Sequence, residues 1–427
     1  MTTLPARQLR GEIAVPGDKS ISHRSIMLGS LASGTTRITN FLRGEDNFST
    51  MQAFRAMGVP IDDDGQTVVV HGVGLHGLQE PFDVLDCGNS GTTIRLMTGL
   101  LSGQRFFSVL TGDQYLRKRP MKRVSEPLRR MGAQIAGRAQ GTMAPLAITG
   151  SPLHGISYDS PIASAQVKSA LMLAGLYAAG ETTVTEPSLS RDHSERMFRF
   201  FGADLDTLPN GVVVRGGAEL RGQEIMVPGD ISSAAFFMVA ALIVPGSELL
   251  IRNVGINPTR TGIIDILQAM GGDITLLEPR EVSGEPVADL LVRSSRLKGI
   301  AIGGDLVPRA IDEFPAISVA ATLAEGTTVI TDARELRVKE TDRIAAMAAN
   351  LRAIGAASVE ETEDGMVIQG TETLAGGNVT SCGDHRIAMA LSIAALASRS
   401  AVEVDDVSCV ATSFPGFYQL LDKVAVR

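Results

Sequence analysis

Two carboxylates and a recurring set of cations hold most of the chemistry open to this sequence. Asp312 and Glu340 lie 28 residues apart. Paired carboxylates in a cationic pocket can have their pKa values pushed apart and serve as acid and base. Glu313 competes with Asp312 for that role. Lys339 and Arg343 flank Glu340, and His385 and Arg386 follow Asp384. Earlier in the chain Lys19 and Arg24 follow Asp18, Arg95 follows Asn89-Ser90-Gly91-Thr92, and Lys168 follows Gln166. Arg117-Lys118-Arg119-Pro120, Arg191 and Arg260 complete the set. A single surface Arg is ordinarily a solvated residue. Cations that recur at equivalent places read instead as sites for phosphate or carboxylate, where Arg binds bidentately and Lys acts as a point charge. On pattern alone His385 reads as a structural hydrogen-bond donor. No Gly-x-Ser-x-Gly, HExxH, Walker A, kinase or GxGxxG pattern occurs, so dinucleotide chemistry has no support and no cofactor is expected. The cysteines, Cys87, Cys382 and Cys409, fit neither a CxxC nor a zinc spacing, so no metal is expected.

The elements that must position these residues repeat six times. Asp18, Asn89, Ser164, Asp230, Asp312 and Asp384 anchor the copies, at spacings of 66 to 82 residues. After each anchor comes an Ala/Leu/Met-rich run and then a β-branched run, with a Gly between them in the first five copies, as in residues 26–40, 170–186 and 317–332. That is a helix ended by Gly and followed by a strand. Half a copy later a second helix closes on Gly at Met57-Gly58, Met131-Gly132, Phe201-Gly202, Met270-Gly271 and Ile354-Gly355, with strands such as Thr67 to Val70 and Gly211 to Val214 beyond it. The unit is therefore strand, helix, strand, helix and two strands, an α/β module too long for a solenoid repeat. The last copy ends in a helix at Phe417 to Arg427, and Arg10 to Val15 is the expected source of its missing closing strand. Val15-Pro16-Gly17-Asp18 and Val227-Pro228-Gly229-Asp230 divide the chain into two similar halves of three units. Each anchor is also a good N-cap, which explains its residue type without any function. Helix N-termini gathered in facing domains would nevertheless form a cleft that prefers anions.

Composition limits the partners. The chain of 427 residues carries a net charge of −8 and only 4% aromatic residues, with no Trp. Nucleic-acid binding needs a basic surplus or stacking platforms, so no nucleic-acid partner is expected. The cation sites must then work as local positive foci in an acidic protein. The longest apolar run, Ala234 to Val244, is far short of the roughly 20 residues of a membrane span. The first ten residues hold no apolar signal region. A cytoplasmic, monomeric protein with small-molecule substrates, no membrane partner and reduced cysteines is expected. The 45 glycines, about a tenth of the chain, are spread over the repeats.

The sequence resembles the 5-enolpyruvylshikimate-3-phosphate synthase (3-phosphoshikimate 1-carboxyvinyltransferase) family. The matching stretches are residues 16–24 (PGDKSISHR), 88–92 (GNSGT), 118–121 (KRPM), 164–166 (SAQ), 339–343 (KETDR) and 383–386 (GDHR), in the family's order and across essentially the whole chain. The resemblance implies the enolpyruvyl transferase fold, an inside-out α/β barrel of two domains with three βαβαββ units each. Residues 1–17 and 229–427 would form the first domain and 18–228 the second, with crossings near 17 and 228. The implied reaction moves the enolpyruvyl group of phosphoenolpyruvate to the 5-hydroxyl of shikimate 3-phosphate on the route to chorismate and the aromatic amino acids. Carried over by motif, Asp312 resembles the base, Glu340 and Lys19 the other proton-transfer groups, and His385 falls in the same catalytic set. Lys19, Ser20, Arg24, Ser164, Ala165, Gln166, Asp312 and Lys339 resemble the shikimate-phosphate contacts. Lys19, Gly91, Arg119, Gln166, Arg343 and Arg386 resemble the phosphoenolpyruvate contacts. Two departures resemble a second branch of the family: Ala165 stands where many members have Ser, and no Lys precedes Thr412-Ser413-Phe414-Pro415. Two alternatives remain. One is enolpyruvyl transfer to UDP-N-acetylglucosamine, disfavoured by Lys19-Ser20 and by the lack of Cys between Gly112 and Met121. The other is a non-catalytic anion-binding protein on the same scaffold.

Overall fold

The computed structural model describes residues 1–427. Strands β1 (Thr2–Thr3) and β2 (Gln8–Ala14) open the chain. The first repeat contributes α1 (Lys19–Leu31), β3 (Ser33–Thr39), α2 (Glu45–Ala56), β4 (Ile61–Asp63) and β5 (Thr67–Val73). The second contributes β6 (Leu85–Asp86), α3 (Gly91–Ser102), β7 (Phe107–Thr111), α4 (Lys122–Arg130), β8 (Gln134–Gly137), the short α5 (Arg138–Gly141) and β9 (Leu146–Thr149). The third has β10 (Ser157–Asp159), α6 (Ala165–Gly175), β11 (Glu181–Thr185), α7 (His193–Phe201), β12 (Asp204–Leu208) and β13 (Gly211–Arg215), and β14 (Glu224–Met226) follows it. The fourth has α8 (Ile231–Ile243), β15 (Glu248–Gly255), α9 (Gly262–Ala269), β16 (Asp273–Val282) and β17 (Glu285–Arg293). The fifth has β18 (Ala301–Ile302), α10 (Leu306–Ala310), α11 (Phe314–Thr322), β19 (Thr327–Ile330), α12 (Arg343–Ala353), β20 (Ser358–Glu361) and β21 (Met366–Gln369). The sixth has β22 (Gly377–Val379), α13 (His385–Leu396), β23 (Val402–Val404), α14 (Phe417–Val424) and β24 (Ala425–Val426).

Each repeat makes one small sheet, as the sequence pattern predicts. The orders β6-β7-β9-β8, β10-β11-β13-β12 and β18-β19-β21-β20 are one topology. The first two strands are parallel across their crossover helix, and the remaining pairs are antiparallel. The five second helices that close on Gly do so for a steric reason. Gly58, Gly132, Gly202, Gly271 and Gly355 all sit at φ between +85° and +99°, where a side chain would be strained.

Three sheets borrow a strand from a distant part of the chain, one of them β1-β23-β22. In β14-β3-β5-β4 the leading strand comes from residues 224–226, and in β16-β17-β15-β2-β24 it comes from the N-terminal segment. The expectation that Arg10 to Val15 closes the last repeat is therefore corrected. Arg10 to Ala14 run parallel to β15, while Gln8 and Leu9 of the same strand pair antiparallel with β24 of the last repeat, and the two-residue β1 pairs antiparallel with β23. The reason lies in packing: beside β15, Leu9, Ile13 and Val15 are buried in the core that holds α8, a core that also takes Leu421 and Val424 of α14.

Contacts along the chain cluster into two units. One comprises Met1–Pro16, Pro228–Glu281 and Pro286–Arg427; the other comprises Gly17–Val227 and the hairpin tip Val282–Glu285. In the first unit α8, α11 and α13 pack on one another. In the second α3 packs on α6, and α1 contacts α3. These helices are apolar nearly all round because sheets and other helices cover them: all residues from Ile231 to Leu242 of α8 are buried. No helix is long and apolar enough to cross a membrane.

Candidate active site

The starts of the first helices hold the side chains singled out by the sequence. Five of the six starts are closed by their own side chain. Asp18, Ser90, Ser164, Asp230 and Asp384 accept from the backbone N–H of Ile21, Thr93, Val167, Ser232 and Arg386 respectively. Capping thus accounts for those five residue types. The start of α11 differs. Its N-cap position falls on Glu313, one residue past Asp312, and that side chain makes no capping bond.

In the unit that holds both termini, cations converge on Asp312. Arg343 Nη1 lies 3.3 Å and Lys339 Nζ 4.0 Å from its Oδ1, and Arg386 Nη2 lies 3.8 Å from its Oδ2. Arg386 also donates to the Asp312 carbonyl at 3.1 Å. Arg343 is the hub: it donates to Glu340 at 2.7 Å and to Asp384 at 2.8 Å and 3.4 Å. Burial alone would lower its pKa, but Asp384, Glu340 and Asp312 outweigh burial and raise it, so it is a permanent cation. Burial lowers the pKa of Lys339, with Arg343 adding to the effect and Asp312 opposing it. Asp312, Lys339, Glu340, Arg343 and Arg386 therefore form one cluster, with His385 in the first turn of α13 beside Arg386. The carboxylates of Asp312 and Glu340 keep 16% and 26% of their surface exposed, whereas Glu313 keeps none. Glu313 accepts from the Ser232 hydroxyl and lies 3.6 Å from Arg260. The adjacent acids thus have different surroundings, one accessible and one sealed.

In the other unit Lys19, Ser20 and Arg24 stand on α1. Lys19 pairs with Asp46, and Asn47 donates to the Lys19 carbonyl at 3.1 Å. Arg24 is buried, yet all its hydrogen-bond partners are neutral: Ser194 and Ser169 hydroxyls at 2.7 Å and the Ser20 carbonyl at 3.0 Å. Burial lowers its pKa to about 10, which still leaves it protonated at neutral pH. A guanidinium held this way keeps its charge for an anion. At the start of α3, Arg119 donates to Asn89 at 2.7 Å, and Asn89 donates to Asp113 at 2.7 Å. A Cβ on Gly91 would lie 2.7 Å from Arg95 and 3.1 Å from Arg119, so the missing side chain leaves room for both guanidinium groups. Gln166 accepts from Arg95 at 2.7 Å and donates to Thr92 at 3.2 Å, which joins the starts of α6 and α3. Ser164 and Ala165 begin that same α6.

Two of the expected anion sites are corrected. Lys168 is sealed, and its charge is used by Glu195 at 2.8 Å and Glu186 at 3.0 Å. Arg260 is likewise enclosed by Asp230, Ser232 and Glu313. Both positions follow the repeat, but the glutamates that neutralise them are distant in sequence and carry no repeat signal. The same holds for supporting residues that the sequence reading passed over. They include Asp46, Asp113, Ser169, Ser194 and the hydroxyl chain from His23 through Thr50 and Thr93 to Ser90, each link 2.7 Å.

The chain is similar to known proteins over its whole length. The family model described as EPSP synthase (3-phosphoshikimate 1-carboxyvinyltransferase) matches residues 4–421. A 3-phosphoshikimate 1-carboxyvinyltransferase of Geobacter sulfurreducens is 72% identical over 427 residues, covering 100% of this chain and 99% of its own. Its counterpart in Geobacter metallireducens is 71% identical over 426 residues, with the same coverage. A solved structure of EPSP synthase from Acinetobacter baumannii, 51% identical, superposes with a TM-score of 0.90 over 100% of this chain and 98% of its own.

Proposed function

The chain belongs to the EPSP synthase family, and from that membership we infer that it transfers the enolpyruvyl group of phosphoenolpyruvate to the 5-hydroxyl of shikimate 3-phosphate, releasing phosphate. It is an enzyme of the shikimate pathway to aromatic amino acids, built on the α/β fold of six βαβαββ repeats.

The reaction joins two multiply anionic molecules, so binding them together is the first demand. Lys19, Ser20, Arg24, Ser164, Ala165, Gln166, Asp312 and Lys339 hold shikimate 3-phosphate. Arg119, Arg343, Arg386, Lys19, Gln166 and the Gly91 backbone hold phosphoenolpyruvate. The 5-hydroxyl oxygen bonds to C2 of phosphoenolpyruvate while its proton passes to Asp312, and a second proton adds to the C3 methylene. The tetrahedral adduct then loses phosphate from C2 and a proton from C3, which restores the double bond as an enol ether. Glu340 and Lys19 handle the two transfers at C3, and His385 adds a hydrogen-bonding group beside Arg386. The cations around Asp312 and Glu340 offset the charge that accumulates as the anions meet.

One observation above all supports this reading: Asp312 is an accessible carboxylate faced by three cations at the start of α11, while neighbouring Glu313 is sealed. Purified protein is expected to release phosphate from phosphoenolpyruvate with shikimate 3-phosphate and not with UDP-N-acetylglucosamine; the reverse pattern would overturn the reading. Asp312→Ala is expected to bind shikimate 3-phosphate in calorimetry but to lose about 100-fold or more in kcat. Unchanged turnover would reject Asp312 as the base. A monomer in the reducing cytoplasm completes the proposal. The cytoplasmic reading is supported by three unpaired cysteines. Light scattering checks the monomer.

A further inference from the structure

We propose that the sealed pair Arg260–Glu313 is the positioning device of the catalytic turn, holding Asp312 out of the helix cap and among its cations. The proposal rests on the assignment of Asp312 as base, and it concerns residues to which that assignment gives no role.

The starting observation is the exception among the six repeats. Elsewhere an Asp or Ser at the helix start bonds back to the first turn. At α11 the N-cap position is Glu313, and its carboxylate makes no bond to the first turn of the helix. Glu313 Oε1 accepts from the Ser232 hydroxyl and lies 3.6 Å from Arg260 Nη2. Arg260 Nη2 also donates to Ser232 at 2.6 Å and lies 3.5 Å from Asp230, which caps α8. One buried guanidinium therefore ties the start of α8 to the start of α11. The backbone of the turn is fixed as well: Glu313 N–H donates to the Ala310 carbonyl at 2.9 Å, and the Glu313 carbonyl accepts from Ile317 at 3.0 Å.

A second buried arginine performs the matching task on the other side. Arg343 ties the start of α13, through Asp384, to Asp312. Arg260 lies two residues before α9 and Arg343 is the first residue of α12, the second helices of their repeats. The turn at residues 311–313 is thus gripped from two sides by equivalent cations, and its adjacent carboxylates are pulled apart. Asp is a strong N-cap residue. A turn free to move by one residue would let the Asp312 carboxylate close α11 as Asp230 and Asp384 close their helices. A displacement of that size is enough to cost a catalytic group most of its effect.

A buried ion pair is a poor stabiliser against an apolar pair of similar volume, and this makes the test clean. The double variant Arg260→Met/Glu313→Met is expected to keep its melting temperature within a few degrees. Its kcat is expected to fall about tenfold or more, with KM for both substrates within about threefold, the signature of an interaction made in the transition state. A kcat within about twofold of the parent at an unchanged melting temperature would overturn the proposal. If the double variant does not fold, Glu313→Gln decides, because it keeps the volume and the bond from Ser232. A drop of about threefold or more in kcat at unchanged stability supports the proposal, and an unchanged kcat overturns it. Asp312→Asn is measured in parallel. If it keeps full turnover, the assignment of the base fails. If it loses turnover while the double variant keeps it, only the positioning role fails.

Discussion

His23 stands one turn after Lys19 and directly before Arg24, wholly buried, with Nδ1 bonded to Thr50 at 2.7 Å and Nε2 without a partner. Burial first, then the charges of Lys19 and Arg24, push its pKa well below the ordinary histidine value. The ring is therefore neutral in the folded protein, whereas in the unfolded chain it protonates near pH 6.5, at about the ordinary value. The unfolded state then binds more protons at acid pH, so this part of the stability is present above about pH 6.5 and is lost as the pH falls below it. Melting temperature is expected to drop between neutral and mildly acid pH, before carboxylates titrate, and His23→Asn is expected to flatten that limb. Equal slopes for the two proteins would reject His23 as the source. Lys168 offers a second test at this scale. Its charge offsets two buried carboxylates, Glu186 and Glu195, and burial raises the pKa of Glu195. Removing one partner of a buried pair strands the other, so Lys168→Met is expected to cost about 3–5 kcal/mol in urea unfolding. A cost below about 1 kcal/mol would mean that the glutamates find other partners.

The twin Val-Pro-Gly-Asp stretches show what sequence can and cannot say about elements. Each reads as a turn that leads into a capped helix, and Asp18 and Asp230 do cap α1 and α8. The local pattern of helix, Gly stop and strand was legible in the first five repeats, because each depends on side chains a few residues apart. Strand partnership was not. The choice that puts β2 beside β15, and β14 beside β3, depends on which core takes Leu9 and Ile13, or Ile225. The site divides along the same line. Asp312, Lys339, Glu340, Arg343 and Arg386 were readable from type and spacing, but the sealing of Glu313, Lys168 and Arg260 depends on distant neighbours. The two glycines of the twin motif also differ in surroundings. A Cβ on Gly17 would lie 1.9 Å from the Asn40 carbonyl oxygen, a backbone atom fixed at the end of β3. On Gly229 the nearest atoms are Val15 Cγ2 at 3.0 Å and Asn253 O at 3.1 Å. Gly17→Ala is therefore expected to lower the melting temperature far more than Gly229→Ala, and equal losses would show that Asn40 can give way.

Over the whole molecule, the charge of −8 opposes the approach of anionic substrates, and local cations must overcome it. The balance depends on distance. At physiological salt the Debye length is about 8 Å, so the diffuse negative field is already largely screened. What remains is attraction at contact range from groups such as Arg119, Lys339 and Arg386, which are only partly buried. Stronger screening weakens that attraction, while the buried charges of Arg24 and Arg343 are reached less. Proton transfers carried out by groups already in contact with the substrates do not sense the far field. Raising KCl from about 0.15 M to about 1 M is therefore expected to raise KM for both substrates severalfold while kcat changes by less than about twofold. A KM that ignores salt would show that buried hydrogen bonds, rather than the partly exposed cations, carry substrate binding.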